Sequence, residues 1–288
     1  MINPIHYSEL TPELARKGCF VTDMQNADYH SCEGISKSGL DVIDRSPAHF
    51  MYGAKREQSR AMVIGSAIHA AILEPEKFAE DYLLLKNVKA RTASEYKQAI
   101  KVHNPDLVLV ASEADNVVGM MESVYSQPQA ANSLRSDGWR ELSAFVEDPE
   151  TGVLMRCRYD LLTVSGRCVD LKKTRDSRPD EFAKSVFNYR YHVQDAMYSH
   201  IFELITGEPL QSFEFLAVED QPPHCAMMYD LDEEAKYIGF NEYRRNLETY
   251  AECLSANEWP GYDQAENEPL SLPGWAIAKF ENDIEIEL

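Results

Sequence analysis

The sequence predicts an α/β (α+β) fold, a mixed central β-sheet flanked by helices. Three observations carry that prediction. A β-meander runs over 142–173, its extended stretches separated by turn residues. Apolar residues recur at helical spacing on either side of it. A further alternating stretch, 212–220, follows a long helical segment. The order helix, meander, helix, strand, helix describes a helix-covered mixed sheet.

Taken in order, residues 1–28 read as an irregular arm. GISKSGLDVIDRSPAHFMYGAK (34–55) predicts two short helices, the first capped by Ser36 and the second opened by Pro47. MVIGSAIHAAILEP (62–75) carries apolar residues at helical spacing and stops at Pro75. DYLLL (81–85) reads as a strand, 86–106 as a basic exposed loop with a short helix, and 112–127 as helical. The meander holds LSAFVED (142–148), the turn DPETG (148–152), VLMRCRYD (153–160), a turn at Gly166 and RCVDLKK (167–173). A helical segment over 179–207 ends at Gly207, strands follow at 212–220 and 225–231, and a long helix covers about 232–256. The reading is one domain over 29–280, between the arm and an acidic tail at 281–288.

Composition narrows the function. With 288 residues, 44% hydrophobic and 26% charged, the chain is globular. No apolar run approaches the ~20 residues that span a bilayer. MINPIHYSELTPEL lacks the basic and apolar regions of a signal peptide. Six cysteines without any C-x-x-C argue against a zinc ribbon, an iron–sulfur cluster or a disulfide framework, and fit a reduced, cytoplasmic protein. A net charge of −20 looks wrong for nucleic acid, which draws on Lys and Arg. Residues 156–192, however, hold nine Lys/Arg against five acids, a local +4. Such a strip can steer a polyanion into one channel.

The most informative stretch is MRCRYDLLTVSGRCVDLKKT (155–174). Asp170 and Lys172 lie two apart and share one strand face. If the flanking runs pair as a hairpin, Asp160 approaches Asp170. Two carboxylates and an ammonium then share a patch that suits a hard cation such as Mg²⁺. The lysine can hold the attacking water or the transition-state phosphate. A polar hairpin edge with an ion pair has the same spacing, so spacing alone does not decide.

His69 sits among small apolar residues, where a lone histidine is ordinarily a core residue, although an imidazole can complete a site made of carboxylates. Glu141 is a possible further acid, with an exposed glutamate as the simpler reading. Gln194 and Tyr198 are four apart on one helix face and can offer an amide and a phenol to a nucleotide. Tyr189, Tyr191 and His192 can stack on bases, though aromatics before a helix usually belong to the core. Lys173, Arg175 and Arg91 are the cations expected to meet DNA.

In order, GSAIHAAILEP, RCRYD, VDLKKT and YRYHVQDAMY resemble the RecB-type branch of the PD-(D/E)xK nucleases, and within it the RecE-type exonuclease VIII nuclease domain of prophages. The similarity runs from about Tyr29 to Trp275 and includes YHSCEGISKSGLD, EDPETG and LSLPGWA. It implies a PD-(D/E)xK core with His69, Asp160, Asp170 and the Leu171 main-chain carbonyl at a metal. Asp160, Asp170 and Lys172 would be catalytic, and Gln194 and Tyr198 would lie next to DNA. Tyr159 stands before Asp160 where many members have Pro. The four cysteines of the iron–sulfur branches are missing. The implied activity is a Mg²⁺-dependent exodeoxyribonuclease, with Mn²⁺ as the substitute cation. It would degrade one strand of linear double-stranded DNA 5′→3′ and leave 3′ overhangs for recombination by strand annealing. The implied partners are double-stranded DNA ends and a RecT-like annealing protein. A ring-shaped homo-oligomer, trimer or tetramer, would turn the basic strip inward. The alternatives are an endonuclease of restriction or repair type and a non-catalytic DNA-binding phage accessory protein.

Overall fold

The computed structural model describes residues 2–54, 59–262 and 269–285. Strand β1 (Ile5–His6) lies parallel to β2 (Cys19–Thr22), joined through α1 (Pro12–Lys17). Thr11 caps α1 by accepting the Leu14 amide, and Pro12 sits in the first turn, where no N–H is needed. After α2 (Asn26–Ser31) come α3 (Lys37–Arg45), capped by Ser36, and α4 (Pro47–Tyr52), capped by Ser46. Helix α5 (Arg60–Leu73) stops short of Pro75, which opens α6 (Pro75–Asp81). Strand β3 (Leu83–Leu85), α7 (Ser94–Ala99) and β4 (Val108–Val110) form a small unit whose two strands pair in parallel. Helices α8 (Ala111–Ser126) and α9 (Pro128–Leu134) lead into the meander.

The meander is β5 (Gly138–Glu147), β6 (Leu154–Thr163) and β7 (Arg167–Thr174), antiparallel throughout. Gly166, at φ 82°, makes the turn that returns β6 into β7. Helices α10 (Pro179–Asn188) and α11 (Tyr191–Thr206) then cross over to β8 (Ser212–Glu219), which runs parallel to β7. Strand β9 (Ala226–Asp230), α12 (Glu233–Ala256) and α13 (Gly274–Glu285) complete the chain. The mixed sheet has the order β1-β2-β5-β6-β7-β8-β9. One face packs under α3, α11 and α12 through Leu40, Tyr159, Met197, Phe215, Tyr243 and Leu247. The other packs under α5 and α8 through Ile68, Ile72, Val117, Leu171 and Leu216. Each such side chain contributes roughly 1.5–3 kcal/mol by leaving water. Gly239 lets α12 lie on the His192 carbonyl at the start of α11, where any Cβ would collide. Among the described residues no helix is long and apolar enough to cross a membrane.

Three expectations change. Residues 1–28 are not irregular: β2 pairs with β5 and buries Phe20 and Val21 in the cores. A four-residue strand is too short to show its alternation in sequence. Asp160 does not close its strand, because β6 continues through Leu161 and Leu162 to Thr163. The acid interrupts an apolar run and so resembles an end. Helix α13 enters the stretch read as an acidic tail, whose residues 286–288 lie outside the described residues.

Helix α11 also buries a titratable group. Asp195 Oδ1 accepts from Ser199 at 3.0 Å, while Oδ2 has no hydrogen-bond partner. Burial raises its pKa to about 6, against the pull of Ser199 and Lys236. The folded chain therefore binds this proton more tightly than the unfolded chain, so stability from this group rises as pH falls from about 6 toward 3.8. Asp195→Asn is expected to raise stability at pH 7.5 by about 2–3 kcal/mol, with the gain gone near pH 4. Denaturant unfolding at both pH values checks this; equal curves at pH 7.5 would reject it.

Candidate active site

Three adjacent strands each bring one acid to the same place. In the β5–β6 pairing, Arg140 faces Leu161 and Leu142 faces Tyr159, which sets Glu141 across from Asp160. The β6–β7 pairing consists of Leu162–Cys168 and Leu161–Val169, so Asp170 is the next residue along, across from Asp160. Pairing ends there and the strands fork. Asp160 fills the fork, its Oδ2 accepting the Leu171 amide at 2.7 Å. The expected hairpin thus exists only at its closed end, because a buried carboxylate takes the place of the next rung.

From the opposite side α5 supplies His69. Its Nδ1 lies 3.5 Å from Asp160 Oδ2 and 3.8 Å from Glu141 Oε1. His69 is about one-third exposed, with two carboxylates as neighbours, so it is not a core histidine. Glu141 is half-buried rather than a plain surface acid, and its backbone is left-handed at φ 51°. A non-glycine residue held there inside a strand is strained, and such strain concentrates at functional sites.

On the α11 side, Asp170, Lys172 and Gln194 close a triangle. Lys172 Nζ lies 2.5 Å from Asp170 Oδ2 and donates to Gln194 Oε1 at 2.8 Å. Gln194 Nε2 donates to Asp170 Oδ1 at 2.6 Å. The ammonium sits 4.5 Å from the centre of the Tyr191 ring. Burial pushes the Asp170 carboxyl up to about 6, Asp160 adding to it against the pull of Lys172. Asp160 is held below the usual carboxylate range, since His69, Lys172 and the Leu171 amide outweigh its burial. His69 is raised well above an ordinary imidazole, its burial outweighed by Asp160 and Glu141. Lys172 is likewise raised, its burial outweighed by Asp170.

The remaining expected residues disperse. Leu171 points its side chain into the core and serves Asp160 through its amide. Tyr198 does share a helix face with Gln194, but that face meets the sheet. Its ring packs edge-on to Tyr159 and Phe213, and its carbonyl accepts the Tyr159 hydroxyl. Lys173, one residue on from Lys172, takes the opposite face of β7, with Asp220 at 3.7 Å. Arg91 stacks on Tyr96 beside the small parallel sheet, away from the acids. The basic strip is largely neutralised internally. Seven of its cations lie near carboxylates and Arg156 binds the carbonyls of Tyr29, His30 and Cys32. Arg175 alone has no partner among the described residues.

Arg158 is a further functional candidate that its sequence surroundings do not single out. It precedes Asp160 by two residues and shares its cavity with His69, Glu141 and Asp160. Its Nε donates to Ser143 and its Nη2 to the Met24 carbonyl, and the guanidinium lies 4.5 Å from the Tyr29 ring centre. Nη1 stays at 3.9 Å from Glu141 Oε2, too far for a hydrogen bond. One edge of this cation is therefore fixed while the other faces the cavity. The i−2 spacing to Asp160 was its only sequence signal.

The residues fit a divalent cation. Ligand atoms of His69, Glu141 and Asp160 lie within 4.8 Å of one another. Asp170 Oδ2 is buried and touches the Lys172 ammonium, but no partner is aligned for a hydrogen bond. A donor set of carboxylate oxygens and one imidazole, without thiolate, suits a divalent cation that favours oxygen ligands.

Comparison with known proteins bears on the fold and the family. The crystal structure of a protein named "putative exonuclease" from Eubacterium rectale superposes with a TM-score of 0.56, covering 86% of this chain and 95% of its own at 14% identity. At that identity the likeness speaks for the fold. A second structure, SSO0001, overlaps at TM-score 0.28 and 11% identity over 66% of this chain and 86% of its own, too slight to carry an argument. No curated protein matches the chain. The family described as a PDDEXK-like domain of unknown function (DUF3799) matches residues 36–268, most of the chain. A match over that span shows the family: the chain belongs to the DUF3799 family of PDDEXK-like domains, within the PD-(D/E)xK superfamily.

Proposed function

We propose that the chain is a metal-dependent exodeoxyribonuclease of RecE type, cutting one strand of linear duplex DNA 5′→3′ to leave 3′ single strands. The observation that carries the hydrolytic reading is the row Glu141, Asp160 and Asp170, closed by His69 and flanked by the Asp170–Lys172–Gln194 triangle. His69, Asp160 and Asp170 would hold the cation, with Glu141 beside them and the Leu171 main-chain carbonyl as the resemblance implies. When bound, Mg²⁺ or Mn²⁺ supplies Lewis acidity toward the phosphoryl oxygens and acidifies water.

The chain's own residues do the rest. Gln194 fixes Lys172 so that a buried ammonium faces the phosphate, where negative charge grows in the transition state. Arg158 presents its free edge from the far side of the cavity. Asp160 is held ionised by its partners, so it keeps its charge at neutral pH. Strand polarity, preference for ends, a ring-shaped homo-oligomer and a RecT-like annealing partner rest on the resemblance of the ordered motifs. A cytoplasmic setting rests on the six cysteines without any C-x-x-C. Because so much of the basic strip is paired internally, a ring that lined its channel with this strip would draw on Arg175 and on cations released when DNA displaces their acids.

The test compares end-labelled linear duplex with covalently closed circles, in Mg²⁺ and in EDTA. Linear duplex should be shortened from its ends, circles spared and EDTA inhibitory. Efficient cutting of circles would transfer the site to an endonuclease; no cleavage of either would remove the catalytic reading.

A further inference from the structure

We propose that Tyr189 is a stacking step for an unpaired nucleobase, one ring away from Lys172, a reading that rests on the nuclease activity proposed above. Helix α10 ends at Asn188 and α11 begins at Tyr191, so two residues turn the chain between them. Arg190 makes that turn in the left-handed region, φ 55° and ψ 44°. Its guanidinium is clamped by Asp41 at 3.1 Å, Asp44 at 2.5 Å and Glu242 at 3.2 Å. Lys37 Nζ donates to the Tyr189 carbonyl at 2.6 Å and pairs with Asp41 at 2.7 Å. The strained turn is thus bolted to α3 and α12 from both sides.

That mounting fixes a row of rings. Phe215 lies in the core, and Tyr191 stacks on it with centres 5.7 Å apart at 25°. Tyr189 stacks on Tyr191 at 5.6 Å and 26°, and is 62% exposed. The middle ring is the one that touches Lys172. The sequence favoured a core role for Tyr189; the structure leaves the ring outside. A single exposed aromatic is ordinary in itself. This one differs in being rigidly held, with one ring between it and the ammonium that faces the phosphate.

The geometry defines its occupant. Every base has a π-face, and stacking on a protein ring tolerates any sequence. Bases inside a duplex are already covered on both faces, so the ring suits a base freed from its partner. Only the Tyr191 ring separates Tyr189 from the Lys172 ammonium, so the frayed terminal nucleotide of the cut strand, whose phosphodiester would meet Lys172, is the natural ligand. Holding it would keep the end open while the next linkage enters.

The experiment uses the Asp170→Ala chain, expected not to cleave, and a duplex carrying 2-aminopurine as an unpaired 5′-terminal nucleotide. Binding should quench the fluorescence severalfold. Adding Tyr189→Ala should abolish the quench and weaken affinity about 5- to 100-fold, as for loss of one base–aromatic stack. Tyr189→Phe should keep both. The dependence of affinity on salt should be the same in all three, because a neutral ring displaces no counterions. Unchanged quenching in Tyr189→Ala, or equal loss in Tyr189→Phe, overturns the stacking step while leaving the nuclease reading standing. Failure of the Asp170→Ala chain to bind any duplex, together with no cleavage by the natural chain, removes both.

Discussion

Asp170→Ala and Asp160→Ala are each expected to abolish cleavage of linear duplex, by on the order of 10³-fold or more, in a protein that remains folded. One preorganised electrostatic contact supplies 10²–10³ in rate, and each of these acids serves the cation as well as its neighbours. Their structural costs differ. Asp170 is buried with its pKa pushed up to about 6, but it also pairs with the Lys172 ammonium and accepts from Gln194, so alanine removes a penalised charge while leaving a buried cation and amide without that partner. Asp160 accepts the Leu171 amide in the fork, so its loss leaves a buried donor unsatisfied at roughly 1–3 kcal/mol. Thermal unfolding read beside cleavage of a labelled duplex checks both. Folded Asp170→Ala protein that digests duplex at the natural rate would sink the assignment.

Lys172→Met is the second large effect. The substitution keeps the length of the side chain and removes only the ammonium, so the chemical step should slow by about 10³-fold. Affinity for duplex should change little, because Asp170 and Gln194 already hold the ammonium and its charge is drawn on chiefly as negative charge grows in the transition state. The variant also strips Asp170 of the partner that pulls its pKa down. Asp170 should then stay protonated to higher pH, and the variant should be less destabilised at pH 5 than at pH 8. Single-turnover rates beside equilibrium binding separate the two roles. A Kd raised as much as the rate falls would make Lys172 a binding residue only.

Much of the fold was legible because its signals are local. Ser36, Pro47, Pro75, Gly166 and Gly207 mark element ends through their own backbone preferences, and each stands where the structure starts, stops or turns an element. The shared strand face of Asp170 and Lys172 follows from alternation alone. What could not be read was long-range. Glu141 looked like a surface acid because nothing near it in sequence reveals that β5 would lay it against Asp160. Arg91 and Lys173 looked free because Tyr96 and Asp220, which occupy them, are matched to them only by the fold. Tyr198 kept its helical spacing from Gln194, yet spacing does not say which neighbour a helix face meets.

The acids run across three strands and not along one, and this bears on how activity is acquired. No contiguous segment of chain contains the site. The β6–β7 hairpin holds Asp160 and Asp170; Glu141 arrives only with β5, and His69, 91 residues before Asp160, only when α5 docks on the sheet. Closing a loop of that length is an entropic cost that local structure cannot share. Catalysis should therefore be the last property a refolding chain regains, after its helices and strands have formed, which makes each turnover a report that these distant contacts have closed.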